Sequence, residues 1–456
     1  MSTSQVKKLS LIAVTWPIFI ESLLHMSLRT ADTFMLSQVS DEAVASVGVA
    51  NQVIMFMFFL FQFVATGTSV IVAQYLGAKK YDEINKYVGN GILLNFFFGL
   101  FVATILIVFS KQFLSIFQLE PHLLAEARIF LIIVGGALVF QAMSITMSVI
   151  IQTYGFTKET MFVSGGMNII NIIGNYLFIY GALGFPQWGV TGVAISTAVS
   201  QGIAFITFAL VLYYRVKLKI TWNDMIEIQK ERLKKVLGIG IPSSMTIISY
   251  SLSQIVTTSF ITLLGTQMLA TRIYTLNLLF FIMILGISLG RGSQIITGHL
   301  IGAGKMDEAF KVGRRNVRLS IVLALLMTLV IVLIREPLLG IFTDDPAIIQ
   351  MGAILLILGF LLEPGRCLNL VYGATLQAAG DARFMMMVSV LVIWLFSVPL
   401  YYLLGIHFGW GLIGIWAAFI ADEWVRGILL WARWRGRKWE EKALVKQKKP
   451  NEEATA

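Results

Sequence analysis

The sequence predicts an all-α integral membrane protein of twelve transmembrane helices in two six-helix lobes related by a parallel internal repeat. Three observations carry this prediction. Of 456 residues, 57% are hydrophobic and only 13% charged, about half the ~25% charged content of soluble domains. Seven long stretches contain no Asp, Glu, Lys or Arg. Motifs of the first half return in the second at an offset of 225 residues, which drifts to 222 at Trp188 and Trp410. The composition excludes a soluble enzyme, a disordered chain and a fibrous protein. The net charge of +10 does not point to nucleic acid, because the basic residues fall in short connections and the tail, as membrane topology demands. The single cysteine, Cys367, excludes an internal disulfide.

The elements follow in order from the cost of a charge at mid-bilayer, at least ~2.5 kcal/mol, and from the roughly 20 residues a spanning helix needs. The first helix lies around 16–36. Residues 1–20 lack the pattern of a cleaved leader, since Lys7 and Lys8 are followed by Trp16, Pro17 and Glu21. Charge-free stretches 43–78, 87–110 and 129–157 predict the second to fourth helices. The stretch 160–214 holds two more, broken at Gly184-Phe185-Pro186. The seventh to tenth helices are placed at 236–271, 272–299, 319–334 and 352–377, and 384–421 covers the eleventh and most of the twelfth, broken near 405–409. The domains are therefore an N-terminal lobe 1–214, a basic linker 215–235, a C-terminal lobe 236–436 and a basic tail 437–456. With the N-terminus inside, the inner segments carry 27 Lys and Arg, and the outer loops only Lys111, Arg128 and Arg335. That asymmetry predicts both termini in the cytoplasm.

Gly77-Ala78-Lys79-Lys80-Tyr81-Asp82-Glu83 is echoed by Gly302-Ala303-Gly304-Lys305-Met306-Asp307-Glu308. The same register links Pro17 to Pro242, Gly67 to Gly292, Pro121 to Pro346, Gln152 to Gln377 and Gly155 to Gly380. Each copy holds an even number of helices, so both enter the membrane from the same side, the parallel-repeat plan of some secondary transporters.

Buried ionisable groups are functional candidates by default. The first helix carries Glu21, His25, Arg29 and Asp32 at steps of 4, 4 and 3, all on one face. Asp32 reads either as a static partner of Arg29 or as a carboxylate held out of water, able to load and release a proton. Glu21 reads as a partner of His25 or as a coupling group. In the fifth helix Asn168, Asn171 and Asn175 form one amide stripe, either for helix packing or as cation ligands. Thr191, Ser196 and Thr197 of the sixth helix supply hydroxyls to complete an oxygen-rich site, of the kind Na⁺ prefers, with Asp32, Asn171 and Asn175. In the second lobe Thr257 stands where Asp32 would repeat. The acids there are Glu363, three residues before Arg366, and Asp422 and Glu423, near Arg426. A structural salt-bridge network and a coupling or substrate role both fit them. Arg272, with Glu21, His25, Arg29, Glu363 and Arg366, is a candidate for lining the substrate cavity or supporting coupling.

Signals for catalysis are missing. Gly304-Lys305 fails as a phosphate-binding loop, because His299 stands where its first glycine should and Met306 where its Ser/Thr should. His25, His122, His299 and His407 show no metal-ligand spacing. No Gly-x-Ser-x-Gly motif in a strand-to-helix turn stands out for covalent catalysis. The chain reads as neither an enzyme nor a cofactor protein, with no metal beyond Na⁺ at Asp32, Asn171 and Asn175.

Over residues 8–436 the chain resembles the multidrug and toxic compound extrusion (MATE) transporters. The resemblance rests on Pro17 with Asp32-Thr33, on Gln74-Tyr75-Leu76-Gly77-Ala78, on Gly189-Val190-Thr191-Gly192-Val193-Ala194 and on Gly380-Asp381. It implies a plasma-membrane (inner-membrane) antiporter, expected to act as a monomer, that exports cationic amphipathic small molecules in exchange for H⁺ or Na⁺ by alternating access. Asp32 matches the first-helix Asp that binds the coupling ion in bacterial members, and Asn171 and Asn175 match the fifth-helix polar pair. Asn175 resembles the NorM-like pattern rather than the Asn-then-Asp one. The seventh-helix Glu of NorM-like members is missing, since 236–271 has no acid, which implies coupling through the first lobe as in DinF-like members. Two alternatives are a lipid-linked precursor flippase of the same superfamily and a channel. The flippase is disfavoured by only twelve helices and mixed cavity charge, the channel by the two-lobe repeat with buried titratable groups.

Overall fold

The structure is a computed structural model that describes residues 10–117 and 119–445; the side chains of Arg29, Phe56 and Phe59 are not described. Lys7, Lys8, Lys446, Lys448 and Lys449, all counted above as inner charges, lie outside the described residues. Among the described residues, twelve long helices follow one another. In the first half they are α1 (Leu11–Ser37), α2 (Asp41–Gly77), α3 (Tyr81–Val108), α4 (Pro121–Thr153), α5 (Thr157–Tyr180) and α6 (Gly189–Leu210). In the second half they are α7 (Lys230–Thr262), α8 (Thr266–Gly302), α9 (Met306–Leu333), α10 (Pro346–Ala378), α11 (Ala382–His407) and α12 (Gly411–Arg435).

Among the described residues, eleven helices are long and apolar enough to cross a membrane. The twelfth predicted span, α12, has 25 residues, about 37 Å at 1.5 Å per residue, but carries Asp422, Glu423 and Arg426 inward. The breaks fall where glycine permits a left-handed turn. Gly181 (φ 66°) ends α5, and Gly409 (φ 71°) and Gly411 (φ 59°) separate α11 from α12. Some helices begin well before their charge-free stretches. α9 starts at Met306 rather than near 319, because its first turns carry Asp307, Glu308 and basic residues at the edge of the apolar region. The predicted linker is partly helical: Trp222–Ile226 forms a short helix closed by a Thr221–Asp224 capping box, and α7 already begins at Lys230.

The chain divides into two compact units, residues 1–72 with 80–240 and residues 73–79 with 241–456. The two units pack their helices alike: α3 on α4 and α4 on α6 in the first, α9 on α10 and α10 on α12 in the second. In the first unit a Leu/Val/Phe core joins Leu36, Phe61, Leu106, Leu131, Leu138 and Val193. In the second, Leu279, Leu355, Leu362 and Trp416 form one core, and the stacked pair Trp434–Trp439, 4.2 Å apart, anchors another. Side chains such as Phe101 and Leu395 stay exposed, the inverse of a soluble surface.

Two close backbone approaches set the second unit. A Cβ on Gly77 would lie 2.0 Å from the His299 carbonyl, and one on Gly302 would lie 1.8 Å from the Gln74 carbonyl. Gly77 and Gly302 are images under the 225-residue repeat, as are Gln74 and His299. The crossing is thus built twice from the same motif, with glycine required on both sides. Gln74 adds a clamp, donating to Ala378 O (2.6 Å) and accepting from Leu444 N–H (2.8 Å).

Candidate functional site

Pro17 shapes the start of the first-unit site. A proline inside a helix leaves the carbonyl four residues earlier without its partner, here Ala13. Thr157 Oγ1, at the start of α5, donates to that Ala13 oxygen at 3.4 Å, and α1 packs along α5.

Along this contact the helices share polar groups at two levels. At the first, Glu21 is buried and meets neutral donors from two helices. Its Oε2 accepts from Thr160 Oγ1 (2.9 Å) and Gln152 Nε2 (3.1 Å), and its Oε1 from Ser164 Oγ (3.0 Å) and Ser148 Oγ (3.5 Å). None of these four appeared as a candidate above. Each pair nevertheless carried a signal, because Ser148/Gln152 and Thr160/Ser164 are i, i+4 neighbours on single faces of α4 and α5. The His25 side chain is exposed. The alternative pairing of Asp32 with Arg29 falls on a side chain outside the described residues.

At the second level the amide stripe of α5 meets Asp32. Asn175 Nδ2 donates to Asp32 Oδ1 at 2.6 Å and to Asn171 Oδ1 at 3.0 Å. Asn171 Nδ2 donates in turn to Thr197 Oγ1 at 3.1 Å, and the Thr197 hydroxyl donates to Val193 O at 2.9 Å. Four of the predicted residues, Asp32, Asn175, Asn171 and Thr197, therefore form one continuous relay across α1, α5 and α6. Asn171 and Asn175 are buried while Asp32 is half-buried. Asn175 Oδ1 is buried with no hydrogen-bond partner. Asn168 is separate and donates to Leu24 O at 2.7 Å, and Ser196 donates to the Asn171 backbone oxygen at 2.9 Å, so both serve helix packing.

In the second unit the acids and bases of α10 and α12 form a single buried network. Arg366 Nη1 meets Glu363 Oε1 at 2.6 Å, and Arg426 Nη2 meets Glu423 Oε1 at 3.3 Å. Arg426 also grips Asp422 with two nitrogens, Nε lying 3.0 Å from Oδ1. Asn369 donates to Glu423 at 2.8 Å and Ser397 to Asp422 at 2.5 Å. Ser397 reaches Asp422 from a wide π turn, Ile393–Ser397, inside α11. Pro364 lies inside α10 beside this network, and Trp424 Nε1 donates to Leu361 O at 2.7 Å. Arg272 stands apart from the network, in the second turn of α8, held by Thr258 Oγ1 and Gln254 Oε1, each at 2.6 Å.

A family model, MatE, matches residues 17–177 and again 242–403. The two matches start 225 residues apart, at the offset of the internal repeat. The uncharacterized transporter YisQ of Bacillus subtilis (strain 168) is 41% identical over 439 residues, covering 96% of this chain and 96% of that protein. A probable multidrug resistance protein NorM of Thermotoga maritima is 26% identical over 446 residues, covering 97% of this chain and 95% of that one. Among solved structures, a MATE crystal structure in the bent conformation superposes with a TM-score of 0.86 at 18% identity, covering 95% of this chain and 96% of that one. That last likeness is one of fold.

Proposed function

Because the chain belongs to the MatE family and is therefore a multi-pass membrane transporter rather than an enzyme, we propose that it is an ion-coupled antiporter exporting cationic amphipathic small molecules. Asp32 carries the coupling proton. The observation that supports this reading is the 2.6 Å contact between Asp32 and Asn175, at the head of the relay through Asn171 to Thr197.

Ionised Asp32 only accepts hydrogen bonds, and Asn175 turns an N–H toward it. Once protonated, Asp32 must donate, and Asn175 Oδ1, buried and without a partner, is a suited acceptor. Rotating the Asn175 amide supplies that acceptor and withdraws the N–H now given to Asn171. Asn171 rotates with it, giving its N–H to Asn175 Oδ1, and because Thr197 can donate as readily as accept, the relay re-forms in the opposite sense. One proton thereby changes the hydrogen bonds that join α1 to α5 and α6. A ligand that favours one of these two arrangements shifts the balance between them. In this reading the lobes 1–214 and 236–436, joined by the linker 215–235 and followed by the tail 437–456, alternate in exposing the substrate path, with both termini cytoplasmic in the plasma membrane and the single chain as the working unit.

Na⁺ is the second reading, favoured by the partnerless oxygen of Asn175 beside a carboxylate. Both are tested by reconstituting the protein in liposomes loaded with ethidium and imposing a pH gradient and, separately, a Na⁺ gradient. Proton coupling predicts saturable ethidium flux with the pH gradient and none with Na⁺ alone. Flux driven only by Na⁺ would move the coupling role to that ion, and flux indifferent to both would refute ion coupling.

A further inference from the structure

The second unit contains a cavity of ≈ 350 Å³ lined by Tyr250, Leu276, Phe280, Met283, Arg272 and Arg366, among others. Its two guanidinium groups are not equivalent. Arg366 is balanced by Glu363 and Glu423. Arg272, although only 8% exposed, is met by neutral oxygens alone, Thr258 Oγ1 and Gln254 Oε1. Among the described residues it forms no salt bridge, while the other buried arginines of this unit, Arg366 and Arg426, each hold carboxylates.

A guanidinium offers five N–H donors, and these two bonds use two of them. Three donors and one full charge remain to be met beside an apolar, aromatic-walled space. A second void of ≈ 10 Å³ abuts the same arginine and is lined also by Trp416, room for about one water. Trp416 is buried and its Nε1 has no hydrogen-bond partner. The unsatisfied groups around Arg272 are thus donors, and an uncompensated buried charge is costly unless paired.

We propose that Arg272 is the recognition residue for a carboxylate, and that the cavity binds an amphipathic small molecule bearing one such group. The single uncompensated charge selects a monoanionic group over a phosphate or diphosphate. The planar fork of the guanidinium matches the two oxygens of a carboxylate, and Leu276, Phe280 and Met283 receive the apolar body. A substrate with both an amine and a carboxylate meets this site without conflicting with the export of cations. The inference rests on the reading above that the protein carries amphipathic small molecules, and it narrows their class.

Equilibrium binding tests it without any gradient, so a failure of ion coupling leaves the result readable. Dansylglycine and its uncharged methyl ester are titrated by fluorescence against the protein in phosphatidylcholine nanodiscs, with protein-free nanodiscs as blank. Hydrogen bonds to charged groups imply that the wild-type protein binds the acid roughly 10- to 100-fold more tightly than the ester. Arg272→Gln brings that ratio to about one while ester binding persists, and Arg272→Lys retains part of the preference. A wild-type protein that binds acid and ester alike, or binds neither, overturns the assignment, as does a preference that survives Arg272→Gln. The wild-type ratio decides the question even if a variant misfolds.

Discussion

Asp32→Asn is expected to reduce ethidium efflux from everted vesicles to the level of vesicles lacking the protein, with normal amounts of protein in the membrane. The substitution is nearly isosteric, and an Asn at this position still offers a carbonyl oxygen to Asn175 Nδ2, so the contact now 2.6 Å long survives. The relay through Asn171 to Thr197 keeps its donors and acceptors. Only the ability to take and release a proton is removed, and α1 is frozen in one of its two hydrogen-bonding arrangements. Substrate binding should persist, because the change adds no bulk. Undiminished efflux by Asp32→Asn would remove Asp32 from the coupling step. Loss of the protein from the membrane would mean that Asp32 holds the fold together.

The second large effect is on stability. Arg426→Met should destabilise the protein by about 3–5 kcal/mol, the usual consequence of removing one partner from a buried ion pair. Arg426 is 3% exposed and faces both Asp422 and Glu423, themselves 1% and 4% exposed. Without it two carboxylates stay buried with only Ser397, Asn369 and the more distant Arg366, 3.8 Å from Glu423, for partners. The companion change Asp422→Asn in the same chain should recover part of the loss, since it removes one of the stranded charges. Thermal unfolding in detergent, followed by fluorescence-detected size exclusion, reads both. An Arg426→Met protein as stable as wild type would show that the network is not structural.

Much of this architecture is legible in the residues. The charge-free stretches mark the helices, and the breaks read at 184–186 and near 405–409 lie close to the left-handed glycines 181, 409 and 411 at the helix ends. Charge content cut the charge-free stretch of α12 short at residue 421, because Asp422, Glu423 and Arg426 lie inside a helix whose neighbours satisfy them. It also shortened α9, whose first turns are charged at the edge of the apolar region. Spacing exposed the stripe Asn171–Asn175, but periodicity describes only one helix at a time. That Asp32 meets Asn175, 143 residues away, depends on how α1 packs against α5. The Glu21 cluster escaped notice for another reason. Ser, Thr and Gln are ordinary packing residues in membrane helices, and nothing in their spacing says which acid they surround. Gln254 and Thr258 repeat the case: an i, i+4 pair on α7 becomes meaningful only when Arg272 of α8 folds between them.

Central to all of this is that Asp32 exchanges a proton as substrate is bound, and proton release measures it most directly. Ethidium is added to the purified protein in weakly buffered detergent solution, with a pH indicator present. Linkage between the two ligands predicts the release of up to about one proton per bound ethidium from the wild-type protein and none from Asp32→Asn, which still binds the dye. Wild-type protein that binds ethidium without releasing protons, or equal release from Asp32→Asn, would contradict the role assigned to Asp32.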